Sequence, residues 1–347
     1  MKVDYIIVGF GLVGMAFCEQ LEQHDKSYLV FDNFSQQASK VAGGLYNPVV
    51  LKRFTPVWNA QVQLPIALRY YSRLERLLKK SLQVDLSILR RFHSIEEQNL
   101  WFESRDHVLL KDYLAPTLVA NANKEISAPY QLGRVEKTGK IKIAEALGLF
   151  EDYLREINVF HKESFDHAEI DPDNSAVFYK GVETKHIVFS EGFGMKNNPY
   201  FAKLPMVGNK GEYLIIRSMS LNLREALKFS LFIIPLGDDL YKVGATYNNQ
   251  EKNNTPTVNA KEIILQKLEK VIKTDFTVVE QMAGVRPTVK DRRPLVGTHH
   301  QYANIHLLNG MGSRGILAAP WAAEVLFQHI ENQKALPAEI DINRFTY

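Results

Sequence analysis

The chain has 347 residues, of which 46% are hydrophobic, 23% charged and 11% aromatic. That is the composition of a folded globular protein; it excludes a disordered, collagenous or low-complexity chain, and the length points to two domains rather than one core. Forty-two Lys and Arg against 39 Asp and Glu leave a formal charge of +3, too mild to argue by itself for nucleic acid or an anionic membrane as partner.

Tyr5-Ile6-Ile7-Val8 reads as a strand buried on both faces, Gly9 to Gly14 as a turn and Met15 to Gln23 as a helix. Tyr5 to Phe17 is mostly apolar, but three glycines interrupt it, Asp4 precedes it and no small-residue cleavage site follows, which speaks against a secretory signal. No other stretch approaches the ~20 apolar residues that span a bilayer. The single cysteine, Cys18, excludes an intramolecular disulfide, a structural zinc site and an iron–sulfur cluster. The expectation is a soluble protein of a reducing cytoplasm.

Ser27 to Phe31 is a second buried strand, ending at Asp32 and completing a βαβ unit. Ser35 to Pro48 is a small-residue segment around Ala42-Gly43-Gly44. Residues 61–80 have helical periodicity, with Leu64, Leu68, Tyr71, Leu74 and Leu78 on one edge. Arg69, Arg73, Arg76 and Lys80 on the other edge read as a solvated face. The stretch 85–140 is mixed and loop-rich, without a long helix. Ile141 to Asn158 is helical; Ala176 to Tyr179 and His186 to Phe189 are strands leading into Ser190-Glu191-Gly192. Tyr213 to Arg217, Leu231 to Pro235 and Tyr241 to Ala245 have the pattern of an antiparallel sheet, followed by a helix over Ala260 to Thr274. His299-His300 adjoin a turn and read as surface histidines rather than metal ligands, so no metal is expected. A strand (Ile305 to Leu308), a glycine turn (Asn309 to Gly315) and a helix to about His329 close the chain.

The βαβ signals thus sit at both ends and around residue 185, with antiparallel segments between. The fold class expected is α/β: a Rossmann-like dinucleotide domain made of 1–60, 140–205 and 284–347, interleaved with a smaller substrate domain on an antiparallel sheet, made of 61–139 and 206–283.

Gly9-Phe10-Gly11-Leu12-Val13-Gly14 is G-x-G-x-x-G, with a strand before it and a helix after it. The first glycine permits the tight turn, the second lets backbone approach a pyrophosphate, and the third lets helix pack closely on strand; the helix N-terminus offers N–H groups to the phosphates. Asp32, at the end of the second strand, is placed to accept hydrogen bonds from ribose hydroxyls. A dinucleotide binds here on this reading, and the fingerprint leaves NAD and FAD open.

Further stretches carry a resemblance. They are Ala42-Gly43-Gly44-Leu45, His186 to Gly194, Leu204 to Gly211, and Phe232 to Gly237 with Val243 to Thr246. Gly284-Val-Arg-Pro287, followed by Asp291 and Pro294 to Gly297, and finally Asn309 to Ile316, complete the set. In their order the chain resembles the D-amino acid oxidase family of FAD-dependent oxidoreductases, which includes glycine oxidase and sarcosine oxidase, from residue 5 to about 330. The resemblance implies FAD as cofactor. Its contacts would come from Gly9, Gly11, Leu12, Val13 and Gly14, from Asp32 and Asn33, from Ala42, Gly43, Gly44 and Leu45, and from Ser190 and Gly192. The closing loop would add Gly310, Gly312, Ser313, Arg314, Gly315 and Ile316. Cys18 lies in the first helix, where packing explains it, and the Gly284–Gly297 block lacks the flavin-attaching cysteine of some sarcosine oxidases, so the FAD is expected to be non-covalent.

Arg286 stands where several family members hold an amino acid carboxylate over the flavin, and a guanidinium suits that task because its planar fork donates two parallel hydrogen bonds. The bland alternative is an internal ion pair with Asp291. Phe232 stands in the place of an active-site tyrosine of the amino acid oxidases, and Tyr241 and Tyr247 are the candidates to supply a hydroxyl instead. The implied activity is oxidation of the C–N bond of an amino acid or secondary amine bearing a carboxylate: hydride to flavin N5, imine hydrolysis and reoxidation by O2. Ala42 to Pro48, Arg53-Phe54 and Tyr70-Tyr71 are also similar to the oxidase half of the bifunctional enzyme that matures a tRNA wobble uridine, which makes a carboxymethylaminomethyl-modified tRNA an alternative substrate. A non-catalytic FAD-binding protein and an NAD-dependent dehydrogenase are the rival classes.

Overall fold

The computed structural model describes residues 1–172 and 176–345. Residues 173–175 and 346–347, which fall in the expected segments 140–205 and 284–347, lie outside the described residues.

Parallel strands Tyr28–Phe31, Lys2–Val8, Val182–Phe189 and Ile305–Asn309 form the centre of the first sheet, with Phe160–His161 at one edge. Alternation along Lys2–Val8 explains why both faces are apolar. Tyr5 and Ile7 enter one core with the helices Leu12–Gln23, Ala60–Leu78, Ile143–Glu156 and Gly315–Asn332. Ile6 and Val8 enter the opposite core with Phe189, Phe201 and Leu204. The basic edge of Ala60–Leu78 is not uniformly solvated: Arg73 Nε donates at 2.7 Å to buried Glu19 on the first helix, so this arginine ties two helices together. His299 also departs from expectation, because it is buried and its ring stacks on Tyr302.

The second sheet runs in the order Thr277–Arg286, Asn209–Arg217, Leu240–Gly244, Phe232–Gly237, Ala226–Lys228, Ile88–Arg91, Leu132–Val135, Leu114–Val119. All its pairs are antiparallel except Ala226–Lys228 with Ile88–Arg91. Leu214, Ile216, Ile233, Tyr241 and Val243 point to one face and pack with Ile264 and Leu268 of the helix Val258–Leu268. Their neighbours in the period-two pattern, Tyr213, Lys242 and Gly244 among them, belong to the other face. The short helix Ala38–Val41 lies against Thr277–Arg286, and a Cβ on Gly284 would stand 3.1 Å from Ala38 Cα. That close approach brings the segment after Asp32 onto the second sheet.

Two elements differ from the sequence reading. Residues 95–105 form a helix whose N-cap, Ser94, accepts from the Glu97 amide at 3.3 Å and whose Trp101 is fully buried. The ten-residue strand Thr277–Arg286 was not read as a strand; its last residues entered only through the Gly284–Pro287 resemblance. No helix among the described residues is long and apolar enough to cross a membrane.

Candidate active site

A cleft opens at the carboxyl ends of the parallel strands, lined by Gly9, Gly11, Leu12 and Val13, by Asp32 and Asn33, and by Ser190, Gly192 and Asn309. Its shape follows from the glycines. Gly9 has φ +98°, and a Cβ there would lie 2.6 Å from the Ser190 carbonyl oxygen; a Cβ on Gly14 would lie 2.0 Å from the Gly9 carbonyl oxygen. Strand and helix meet at backbone contact distance, as the fingerprint requires. The helix Leu12–Gln23 has no side-chain cap from Gly11; Leu12 N–H donates to Ser39 Oγ at 3.0 Å. Asp32 accepts from the amides of Phe10 and Phe34. Burial raises its pKa, and those two amides oppose the rise. Ser190 Oγ is buried without a hydrogen-bond partner.

An orphaned hydroxyl, a carboxylate at the rim and an N-terminus without its own side-chain cap fit the sugar and pyrophosphate of a dinucleotide. Asn33 holds this rim by donating to Ser164 Oγ and accepting from Ser35 N–H, both at 3.0 Å. The Gly192 carbonyl accepts from Asn309 Nδ2 at 2.9 Å, joining two of the strand ends.

The loop 309–315 docks beside the end of strand Thr277–Arg286. Gly312 N–H donates to the Pro287 carbonyl at 3.0 Å, Met311 bridges Thr288, and Gly310 and Gly312 take φ +82° and +55°. A Cβ on Gly315 would meet Leu12 at 3.1 Å, which brings the two helix N-termini together. Ile316 is buried, its carbonyl held by Tyr71 at 3.1 Å, while Ser313 is exposed. Ala42 and Gly43 run over the second sheet: Lys242 Nζ donates to the Val41 and Ala42 carbonyls at 3.0 and 3.2 Å, and a Cβ on Gly43 would fall 2.7 Å from Ile234 and 3.5 Å from the Tyr213 hydroxyl. A Cβ on Gly44 (φ +77°) would fall 2.4 Å from the Ile141 carbonyl oxygen, and Leu45 pairs with Lys140.

Arg286 lies opposite Asn209 in the antiparallel register, and its Nη1 donates to Asn209 Oδ1 at 2.9 Å and to the Thr246 carbonyl at 3.4 Å. Its guanidinium crosses Gly211, where a Cβ would be 2.0 Å away. Asp291 is not its partner: that carboxylate bonds Arg344 at 2.8 Å. No carboxylate among the described residues forms a salt bridge with Arg286.

The two tyrosine candidates part company. The Arg286 guanidinium sits 4.8 Å from the Tyr247 ring, and Tyr247 is 73% exposed, at the mouth of the site. Tyr241 faces the hydrophobic core instead, its hydroxyl accepting from Leu223 N–H at 3.4 Å, and it does not reach the cleft. The strand alternation that puts Tyr241 inward puts Lys242 outward. Sequence reasoning missed Tyr213, which is on the cleft face beside Gly43. Burial raises its hydroxyl pKa, with the Arg286 charge pulling the other way. Lys242, with its ammonium 5.2 Å from the Tyr213 ring, was missed as well; burial and the Lys140 charge lower its pKa to about 8.

Residues 4–329 match the model of the FAD dependent oxidoreductase family, and the chain belongs to that family: it is an FAD-dependent oxidoreductase. It is 23% identical to glycine oxidase of Bacillus subtilis (strain 168), over 96% of this chain and 95% of that one. It is 27% identical to the tRNA 5-methylaminomethyl-2-thiouridine biosynthesis bifunctional protein MnmC of Idiomarina loihiensis, over 35% of this chain and 21% of that protein. Among solved structures it shares its fold with glycine oxidase from Geobacillus kaustophilus (TM-score 0.80, 16% identity, 100% of both chains). The same holds for L-proline dehydrogenase from P. horikoshii (TM-score 0.81, 15% identity, 99% and 98% of the chains).

Proposed function

We propose that the protein oxidises the C–N bond of an amino acid or secondary amine that carries a carboxylate. The observation that carries this reading is Arg286, a guanidinium held by Asn209 and the Thr246 carbonyl with no carboxylate neutralising it, beside the Gly43 segment and Tyr213. Its fork takes the substrate carboxylate through charge-assisted hydrogen bonds and so fixes the position of the neighbouring C–N bond. FAD, held at the glycine turn Gly9–Gly14, Asp32 and Ser190, would supply the hydride acceptor when bound, with O2 as the acceptor that would reoxidise it. The Gly310–Gly315 loop opens the helix Gly315–Asn332 beside the end of strand Thr277–Arg286, so the positive helix end lies at the same end of that strand as Arg286. The amine enters neutral, and the imine product leaves to be hydrolysed by water.

The FAD is held non-covalently, since Cys18 is fully buried in the first helix and burial raises its thiol pKa. The alternation of the two sheets along the chain supports the division into 1–60, 140–205 and 284–347 against 61–139 and 206–283, except at the helix Ala60–Leu78, which packs into the core of the first sheet. The free, reduced Cys18 is in keeping with a cytoplasmic protein.

Carboxylate dependence tests this reading. Anaerobic mixing of the FAD-loaded protein with N-methylglycine should bleach the flavin, whereas dimethylamine, the same secondary amine without the carboxylate, should not. Equal bleaching by both removes the role given to Arg286. The tRNA reading draws on the partial likeness to MnmC. Its basic helix edge is weakened by the engagement of Arg73 with Glu19. Reduction by the modified nucleoside in tRNA, and by none of the free amino acids, would favour it.

A further inference from the structure

The Arg286 guanidinium rests on Gly211, and the strand beneath that glycine is fastened from behind. Side chains along Asn209–Arg217 alternate between the two faces of the second sheet. Asn209, Gly211 and Tyr213 share the face of the site, while Lys210 and Glu212 share the opposite face with Leu214 and Ile216. The missing side chain of Gly211 makes room for the guanidinium, and the Tyr247 ring, 4.8 Å from it, walls the same slot.

The fastening is ionic. Lys210 is fully buried; its Nζ donates to Glu251 Oε2 at 2.6 Å and to Asn253 Oδ1 at 3.0 Å, with Glu212 Oε1 at 3.7 Å. Glu212, also buried, accepts from the Thr257 amide and hydroxyl at 2.8 and 2.9 Å and from Gln281 Nε2 at 2.9 Å. These bonds tie down the loop 246–257, which leaves the strand Leu240–Gly244 and ends at Thr257, the N-cap of the helix Val258–Leu268. Both acceptors of Arg286 depend on that loop. The Thr246 carbonyl is one, and Thr246 exchanges two bonds with Glu212: its N–H donates to the Glu212 carbonyl at 3.1 Å and its hydroxyl accepts from the Glu212 amide at 3.0 Å. Asn209 is the other, and its Nδ2 donates to Asn249 Oδ1 while its Oδ1 holds Arg286. Between them Asn248 exchanges backbone bonds with Lys210 at 2.8 and 2.9 Å. An apolar side chain in place of the buried lysine would serve stability as well. What the lysine adds is direction, because a carboxylate and an amide oxygen must both reach one nitrogen.

We propose that Lys210 and Glu251 are positioning residues for Arg286: their ion pair clamps the loop 246–253 behind the sheet, so that Thr246, Asn209 and Tyr247 hold the guanidinium over Gly211 before a substrate carboxylate arrives. The inference deepens the amine-oxidising reading and rests on it. With the clamp released, Arg286 is in place for only a fraction of the time, and the apparent affinity for a carboxylate falls by that fraction. Saturating substrate selects the same bound state as before, so the half-saturating concentration rises while the limiting rate of flavin reduction does not.

Removing Lys210 would leave Glu212 buried without its cation, so the test removes the half-buried partner instead. Glu251→Ala is compared with Glu251→Gln, which keeps an acceptor for Lys210. Each holoenzyme is titrated with (methylthio)acetate, in which sulfur replaces the amine nitrogen so that binding is read without turnover, following the visible flavin spectrum. Each is then reduced anaerobically with N-methylglycine over a range of concentrations. Glu251→Ala is expected to bind the thioether about tenfold more weakly and to raise the half-saturating N-methylglycine concentration by the same factor. Its limiting rate and its FAD dissociation constant should stay within about twofold of wild type, and Glu251→Gln should bind the thioether within about threefold of wild type. A thioether affinity within twofold of wild type in Glu251→Ala overturns the proposal. So does a limiting rate, or an FAD affinity, that falls as far as the thioether affinity, because the loop would then be loosening the site at large. Turnover separates the inference from the reading beneath it. If no carboxylated amine reduces the flavin while the thioether still binds wild type about tenfold more tightly than Glu251→Ala, the assigned reaction is wrong and the clamp is right. If N-methylglycine reduces wild type and Glu251→Ala alike at every concentration, the reaction stands and the clamp falls.

Discussion

Gly11 and Gly14 are three residues apart in one turn, and the structure assigns them opposite consequences. A Cβ on Gly14 would lie 2.0 Å from the Gly9 carbonyl oxygen, which is backbone and has no rotamer to escape into. Helix and strand must separate by roughly 1 Å, a strain of about 1–3 kcal/mol of the kind that overpacking produces. With about 2–4 °C per kcal/mol for a chain of this order, Gly14→Ala should lower the Tm of the apoprotein by roughly 5 °C. Gly11 has φ −89° and ψ −165°, which alanine adopts freely, and its Cβ would meet Ser39 Oγ at 3.0 Å and no other atom closer than 3.9 Å. Ser39 needs to give by only a few tenths of an ångström and can keep its bond from Leu12 N–H, so Gly11→Ala should leave apoprotein stability within about 0.5 kcal/mol of wild type. The same methyl stands where backbone must approach a pyrophosphate, and FAD affinity should fall at least tenfold, a loss of about 1.4 kcal/mol or more. Thermal melts of the apoproteins and FAD titration by flavin fluorescence measure both. A Gly14→Ala apoprotein melting within 1 °C of wild type, or a Gly11→Ala protein binding FAD like wild type, would refute the reasoning.

Three further outcomes follow from the same structure. Arg286→Met should slow anaerobic flavin reduction by a carboxylated amine about 100-fold or more, because charge-assisted hydrogen bonds are worth roughly 1.5–3 kcal/mol each; stopped-flow absorbance reads this, and a change under threefold contradicts it. Acid should destabilise the fold through its buried imidazoles. His186 Nδ1 and His306 Nε2 are 3.0 Å apart, burial lowers His186 to about 4 and takes His306 well below its ordinary value. Between pH 6.5 and 4 the unfolded chain takes up protons that these folded imidazoles refuse, so stability is intact above pH 6.5 and falls as pH drops, by up to about 3 kcal/mol from His186. Melts at successive pH values should show that decline, and His186→Gln should flatten it; a steeper decline in the variant opposes the assignment. Arg73→Met should cost several kcal/mol, about 3–5 for a buried pair that loses one member, because Glu19 remains buried behind it. Urea unfolding measures this, and an unchanged midpoint would return Arg73 to the solvated face.

What could be read from the chain without its structure was set by the range of the forces involved. The turn Gly9 to Gly14 and Asp32 were legible because their geometry is local: one strand, one turn and one helix determine it. Arg286 was legible by resemblance, but its partners were not. Asn209 reaches it through the antiparallel register of two strands some 75 residues apart, and no local pattern marks that pairing. Tyr213 and Tyr241 carry the same side chain on neighbouring strands, and only strand parity separates the tyrosine beside Gly43 from the one in the core. The helix Ile95–Arg105 did leave a signal, Ser94 followed three residues later by Glu97, which the loop-like composition around it obscured.

The most direct test is the visible spectrum of the purified protein, recorded before and after anaerobic addition of N-substituted and free amino acids. The expected result is an oxidised flavin spectrum, released as FAD on denaturation, that bleaches with an amine bearing a carboxylate. A protein that carries no flavin and takes none up when FAD is added would contradict the account at its centre.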